Sequence, residues 1–520
     1  MTAAEEKIDG LFAPFDKADR PGYAVCVRSR GETIYRRGFG MADLEHNVPI
    51  SPATIFHVAS VSKQFTALCI LLLAQENRLS LSDDIHRWLP ELPEYPDPIT
   101  LWQMLHHASG LREQWDLFTL SGHTMEERAE RAHILRLIEA QRGVNFRPGA
   151  EYCYCNSAFT LLAEVIRAAS GQTLRQFADE RIFRPLGMTQ SYFRDDHGEI
   201  VPGRAVSYRP GRSGGYAAMA LNFDLAGSTS LNTTADDLMK WLAQMDRPRA
   251  EFAAPMARMT ECYTLRDGTQ TDYGCGLRCR RWRGLRVREH SGANSGFRSA
   301  VLYCPDLSLE AAVLSNWRDS YPIEQAYRIL ERLAGDSIEL QPAPPVPLAT
   351  SPAKEEGLYR CGVQLIAVRR EEDNLCLAQE DACRRYRRGA DGGYKGLAGR
   401  LYCMADGTIQ LQNSAGTTVC RPTNDLPLTS TDAANLPGEY YAPEIESVCR
   451  LTAENGRLVL HRMRFGATPL RQVEPGLFLA EKGESLAVQW DSARQALLFS
   501  TARTRRLEFF RGGWRSVYSN

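Results

Sequence analysis

Apolar positions recur at helical spacing in four stretches of the first two-thirds of the chain: residues 60–76, 158–169, 235–245 and 323–334. Thr233-Thr234 supplies an N-cap for the third of these. Strand patterns flank them. Residues 22–39 (GYAVCVRSRGETIYRRGF) predict a hairpin turning at Arg30-Gly31-Glu32, and residues 285–304 and 309–316 predict strands at the far end. Strands at both ends with helices between predict a mixed α/β domain whose terminal segments pair in one sheet.

The texture changes after residues 338–352, within the run IELQPAPPVPLATSPA, where five prolines favour an extended, semi-rigid spacer. Beyond it the pattern is short alternating strands with polar turns. Gly357-Leu-Tyr-Arg360 opens one block and Gly438-Glu-Tyr-Tyr441 another. Each is followed at nearly equal spacing by a turn and a strand, Asp373-Asn-Leu-Cys-Leu377 and Asn455-Gly-Arg-Leu-Val-Leu460. This weak internal repeat predicts two small antiparallel β-barrel or sandwich domains. The expected layout is therefore a domain over 1–337, a linker over 338–352, and β domains over 353–430 and 431–520.

Composition narrows the function classes. A chain of 520 residues has room for about three domains. An apolar fraction of 43% and a charged fraction of 24% are those of a globular protein. Sixty-two basic residues balance 63 acidic ones, which removes the electrostatic argument for a nucleic-acid or membrane-surface partner. The longest apolar run, ALCILLLA at 67–74, is too short to span a bilayer. The start MTAAEEKIDGLFAPF has no basic segment followed by an apolar one, so no secretory signal is read there and a cytoplasmic protein is expected. On that reading the fourteen cysteines are reduced thiols packed as small apolar side chains. Cys153-x-Cys155 and Cys275-x-x-x-Cys279 lack a second pair at zinc-site spacing, so neither a metal nor another cofactor is expected.

The candidate chemistry begins at His57-Val-Ala-Ser60-Val-Ser-Lys63. Positions i and i+3 share a helix face, which makes the Ser60 hydroxyl and the Lys63 amine neighbours. A serine attacks only when a base takes its proton, and a lysine is such a base only when burial holds it neutral. A helix N-terminus beside Ser60 suits a developing oxyanion. Ser351-Pro-Ala-Lys354 matches the same spacing, but it lies in the Pro-rich stretch beside Glu355 and Glu356 and is assigned to solvent. Only seven of the basic residues are lysine, and Lys63 is the sole one between Lys17 and Lys240. Arginine could not act as the base there.

Two further segments carry suitable groups. In Pro148-Gly-Ala-Glu-Tyr152-Cys-Tyr154-Cys-Asn156, Tyr154 sits on a loop entering an apolar helix, where a phenol can shuttle a proton and the Asn156 amide can orient an amine and a carbonyl. Tyr152 reads as a core or rim aromatic. In Arg288-Glu-His290-Ser-Gly292-Ala293, small residues on a strand edge let a peptide backbone approach, and the Ala293 N–H can donate to an oxyanion. His106-His107 read as structural, because adjacent residues point apart and cannot chelate one ion.

In this order, Ser60-x-x-Lys63, Tyr154-x-Asn156 and His290-x-Gly292 resemble the three motifs of the penicillin-recognising serine hydrolases, with histidine where many members carry lysine. The phrases His107-Ala-Ser-Gly-Leu111, Phe183-Arg-Pro-Leu-Gly-Met188 and residues 227–238 (GSTSLNTTADDL) are similar to the class C β-lactamase and D-peptidase branch. Within it, SVSKQFT, the YCN at 154–156, the histidine and the two appended β domains look most like the bacterial D-aminopeptidases. The resemblance implies a multidomain chain: an α/β catalytic domain of the serine β-lactamase/D-peptidase type, then two small antiparallel β-barrels, assembled as a homodimer. It implies Ser60 as the acylated nucleophile, Lys63 and Tyr154 as proton carriers, and His290 holding the network's charge and hydrogen bonds. Asn156 orients Lys63 and the substrate carbonyl, and the N–H groups of Ser60 and Ala293 form the oxyanion hole. The implied substrates are small peptides, amides or esters, with removal of N-terminal D-residues foremost and ester hydrolysis or acyl transfer as the alternative.

One departure from the family concerns specificity. D-aminopeptidases bring a carboxylate from a loop of the last barrel to the substrate's ammonium group. The corresponding stretch here is Ala480-Glu-Lys-Gly-Glu-Ser485, which is shorter and places Lys482 between Glu481 and Glu484. Glu481 or Glu484 is the candidate for that role, Glu481 foremost, and a solvated hairpin turn is the other reading of the segment.

Overall fold

The structure, a computed structural model, describes residues 2–338, 356–371, 374–379, 382–389, 393–396, 399–413, 416–423, 426–481 and 485–512. The Pro-rich linker and the Ser351/Lys354 pair lie outside the described residues. Two compact units divide the chain. The first takes in residues 1–111, 128–135 and 146–341, and the second residues 112–127, 136–145 and 342–520. Residues 112–127 and 136–145 fall inside the stretch expected to be catalytic, yet they cluster with the β domains. Their polar groups meet the last barrel: Arg112 pairs with Glu444, and the Asn145 amide donates to the Arg503 carbonyl at 2.7 Å.

In the first unit, the ends of the chain segment meet in one antiparallel sheet. Its strand order is Arg278–Trp282, Leu285–Asn294, Phe297–Cys304, Leu309–Ser315, Tyr23–Ser29 and Glu32–Phe39. The predicted hairpin forms with its turn at Arg30-Gly31, both at positive φ. Tyr23 faces Ser315 and Ser29 faces Leu309, which is the expected pairing of terminal segments. The helices Ala3–Phe12 and Pro322–Ala334 cover one face and close a core with Val25, Val27, Val287, Leu302, Ile329 and Leu330. Such burial contributes about 1.5–3 kcal/mol per large apolar side chain.

Against the other face run Ala235–Asp246, capped by the Thr234 hydroxyl on the Asp237 N–H, and the helical layer that carries the candidate chemistry. The helix Ser62–Gln75 is apolar on every side, and a helix of that kind has to be enclosed. Residues 62–73 are indeed all buried, Lys63 among them. Asn156–Ser170 packs along it and ends at Gly171 in the left-handed conformation.

The second unit contains two closed antiparallel barrels of eight strands each, over residues 357–422 and 438–511. The internal repeat marks equivalent positions. Tyr359 and Tyr440 are both buried in the first strand of their barrel, and both pair with the last strand, opposite Pro422 and Arg511 respectively. One expectation fails here: Cys361 and Cys420 are joined in a disulfide with Cα atoms 4.6 Å apart, not packed as free thiols. Barrel closure makes the first and last strands neighbours, and that juxtaposition of residues 59 positions apart leaves no local trace in the sequence.

Candidate active site

Ser60 stands in a 3-10 turn, Ala59–Val61, that leads directly into the enclosed helix. Ala59 has φ +48°, a left-handed conformation uncommon for a residue with a side chain, and it turns the chain so that Ser60 keeps partial exposure while its neighbours are buried. The segment 227–231 clasps the helix start. The Thr66 hydroxyl donates to the Gly227 carbonyl at 2.9 Å, and the Leu231 N–H donates to the Ser62 hydroxyl at 3.0 Å. Gly227 is required there: at φ +104° a Cβ would lie 2.3 Å from the Phe159 carbonyl oxygen.

The buried Lys63 amine has three oxygen neighbours: Asn156 Oδ1 at 2.7 Å, the Ser228 carbonyl at 2.7 Å and Ser60 Oγ at 3.2 Å. Two of these can only accept. As an ammonium, Lys63 donates to all three; once it has lost a proton, N–H groups remain for Asn156 and Ser228 and the nitrogen's lone pair faces Ser60 Oγ. The geometry puts the amine within reach of the serine hydroxyl's proton.

Tyr154 enters on the loop before Asn156–Ser170, with Lys63 Nζ 4.8 Å from the centre of its ring. His107 packs against that ring at 4.2 Å and against the Tyr273 ring at 4.6 Å. Its Nδ1 accepts from the Cys155 N–H at 3.0 Å. Burial, reinforced by the nearby Lys63 charge, holds the His107 pKa well below its ordinary value. The two adjacent histidines do point apart, but only His106 is purely structural, bridging the Trp102 and Glu261 carbonyls. His107 belongs to the aromatic wall around Lys63.

The third motif lies on the strand Leu285–Asn294. Arg278–Trp282 pairs only with its residues 285–289, so the same edge over residues 290–294 has no strand partner among the described residues. That free edge meets the Ser60 turn. A Cβ on Gly292 would lie 2.2 Å from the Val58 carbonyl oxygen and 3.1 Å from the Ala59 Cβ, so only glycine permits the approach. Ala293 is the next residue on that strand, after the glycine that packs on the Ser60 turn. His290 is buried, its Nδ1 faces the Ser291 carbonyl at 2.7 Å and its Nε2 faces the Tyr273 hydroxyl at 2.8 Å. Burial first, and then the positive charge of Lys63 in its protonated form, push its pKa down to about 3.

Ser60, Lys63, Tyr154, Asn156, His290 and Ala293 thus all belong to the first unit. Glu481 belongs to the second unit, at the end of the strand Leu477–Ala480, where Arg457 and Arg471 hold its carboxylate. Lys482 and Glu484 lie outside the described residues. Among those described, one group brings three metal-type donors within 4.8 Å of one another, namely Asp196, His197 and Asp224. Asp224 there already accepts from His197 and Arg128. The residues missed by sequence reasoning are His107, the Ser228 carbonyl and Tyr273. His107 and Ser228 lie in family-like phrases that gave them no role, and Tyr273 had a signal in the Gly274-Cys-Gly276 that follows it. A Cβ on Gly276 would lie 2.6 Å from the Lys63 carbonyl oxygen, so this loop must pass against the nucleophile helix.

The Beta-lactamase family model matches residues 8–335. A D-aminopeptidase of Gluconobacter oxydans is 30% identical over 306 residues, 59% of this chain and 58% of that protein, less than two thirds of its length. A D-aminopeptidase of Cereibacter sphaeroides is 26% identical over 458 residues, 88% of this chain and 86% of that protein. The crystal structure of a D-amino acid amidase from Ochrobactrum anthropi, complexed with L-phenylalanine amide, superposes with a TM-score of 0.55 at 21% identity. It covers 65% of this chain and 100% of the amidase, a likeness of fold.

Proposed function

This chain belongs to the Beta-lactamase family, and from that premise we propose that it is a serine hydrolase that removes N-terminal D-amino acids from peptides or amides through an acyl-enzyme. The observation that carries the reading is the buried Lys63 amine 3.2 Å from Ser60 Oγ, held there by Asn156 and the Ser228 carbonyl. Ser60 Oγ attacks the substrate carbonyl as its proton passes to Lys63. The oxyanion is held by the Ser60 and Ala293 N–H groups. Tyr154 and Lys63 return the proton to the departing amine, and water then releases the acid by the reverse relay. The D-aminopeptidase relatives support the choice of substrate.

A second reading, ester hydrolysis or acyl transfer, is favoured by one observation. Glu481, the candidate receptor for a substrate ammonium group, is already paired with Arg457 and Arg471. The proposal includes a homodimer and a cytoplasmic location. No described helix is long and apolar enough to cross a membrane, while the Cys361–Cys420 disulfide weighs against a reducing compartment.

Intact-mass analysis after brief exposure to D-alanine p-nitroanilide or a p-nitrophenyl ester separates the readings. A covalent adduct on Ser60 with both substrates, absent in Ser60→Ala, is the expected result. Ester adducts with no D-amide turnover would favour the second reading, and no adduct with either would remove the hydrolase altogether.

A further inference from the structure

His290 has both ring nitrogens engaged. The Ser291 carbonyl can only accept, so Nδ1 carries the hydrogen, and Nε2 is left with a lone pair that accepts from the Tyr273 hydroxyl at 2.8 Å. Tyr273 has no exposed surface, and its loop is pinned on both sides: a Cβ on Gly274 would meet the Met259 carbonyl oxygen at 2.2 Å, and one on Gly276 would meet Lys63. The hydroxyl is therefore delivered to one place with little freedom to leave it. Around the imidazole stand Lys63 from the nucleophile helix, Arg278 from the edge strand, and Tyr154 with its ring centre 6.2 Å away. His107 faces it from the loop beyond, and Glu289 precedes it on its own strand, buried in a pair with Arg280. Arg278, and Lys63 whenever it is protonated, disfavour a further positive charge at His290.

We propose that Tyr273 is a positioning residue of this site: its hydroxyl fixes His290 as a neutral Nδ1–H imidazole and so keeps the third-motif position out of proton transfer. The relay is then carried by Lys63 and Tyr154, while His290 serves as a fixed wall between them and the open strand edge. The kinetic consequence rests on the acyl-enzyme reading given above. The state of the ring does not.

The test uses the full chain labelled with 15N-histidine. The expected His290 signals are a protonated Nδ1 and a hydrogen-bonded, unprotonated Nε2, unchanged from pH 5 to pH 8. An Nε2–H tautomer, or titration within that range, would overturn the proposal without any variant being made. In Tyr273→Phe the Nε2 resonance is expected to move toward that of a free lone pair. The Ser60 acylation rate is expected to drop about tenfold or more, with KM little changed. The same substitution in a His290→Gln background is expected to cost less than about twofold, because its effect passes through His290. Equal losses in both backgrounds would mean that Tyr273 acts only through packing, and would also overturn it. If no Ser60 adduct forms even in the wild type, the hydrolase reading falls and the spectrum alone decides the role of Tyr273.

Discussion

Lys63 is the residue on which the chemistry turns, and two substitutions separate its charge from its basicity. Lys63→Arg keeps a cation but offers no lone pair, so the rate of Ser60 acylation is expected to fall about 10³-fold or more, measured by single-turnover kinetics. Asn156→Asp is nearly isosteric and places a carboxylate at the position now 2.7 Å from the amine. An adjacent negative charge favours the ammonium form, which raises the pH at which the lysine becomes a base. The acid limb of kcat/KM is then expected to move upward in pH, and a profile unchanged from wild type would remove Lys63 as the base. Ser60 and Lys63 stand out in the chain by type and spacing, whereas Tyr154, Asn156 and His290 stand out only through the ordered resemblance to the family's motifs. The Ser228 carbonyl does not stand out, since a backbone acceptor looks the same at every position. Both His106 and His107 are buried, and which of them meets the Tyr154 ring depends on the positive φ of His107, a property of the folded loop.

At the scale of elements, the apolar helix Ser62–Gln75 and its neighbour Asn156–Ser170 follow their periodicity to within a few residues. Their junctions do not. The expected helix start at Ser60 is a 3-10 turn, because the free strand edge and the segment 227–231 take up the backbone there in place of a first helical turn. Glycines mark these junctions, and each is a point of testable fragility. Gly276→Ala adds a Cβ 2.6 Å from the Lys63 carbonyl at φ +75°, a clash combined with an unfavourable conformation. Its cost is expected to be at least about 1–3 kcal/mol, read as a lower urea midpoint, with acylation falling further than stability. A control at Gly268, also left-handed but with open space around it, is expected to lose much less.

At the scale of the whole molecule, burial lowers the pKa of four histidines of the first unit, His106 among them. The pKa values of His57 and His290 are pushed down to about 3 and that of His107 lies well below the usual range, burial being the first cause in each. An unfolded histidine binds a proton near pH 6.5, whereas these do not until far lower. The stabilisation is therefore complete above about pH 6.5 and is lost as the pH falls from there toward 3, at about 1.4 kcal/mol per pH unit for each ring. Burial holds the carboxyls of Glu289 and Glu310 above their ordinary pKa, which works in the opposite direction. With four lowered rings against two carboxyls and the raised His46 and His86, the urea midpoint of the first unit is expected to drop between pH 7 and pH 5, and a flat response would contradict neutral buried imidazoles. The two barrels were legible as a repeat because each presents the same opening strand to its own last strand. The grouping of residues 112–127 and 136–145 with them was not, because it rests on contacts between distant segments that no local pattern encodes.

The covalent clasp between the opening and closing strands of residues 357–422 makes sample handling a variable of its own. Protein purified in millimolar dithiothreitol and protein purified in air are two different chemical species, even though their sequences are identical. Calorimetry should separate them, since opening a loop of this length typically costs about 2–4 kcal/mol. A melting curve recorded without stating the thiol content of the buffer would average over both.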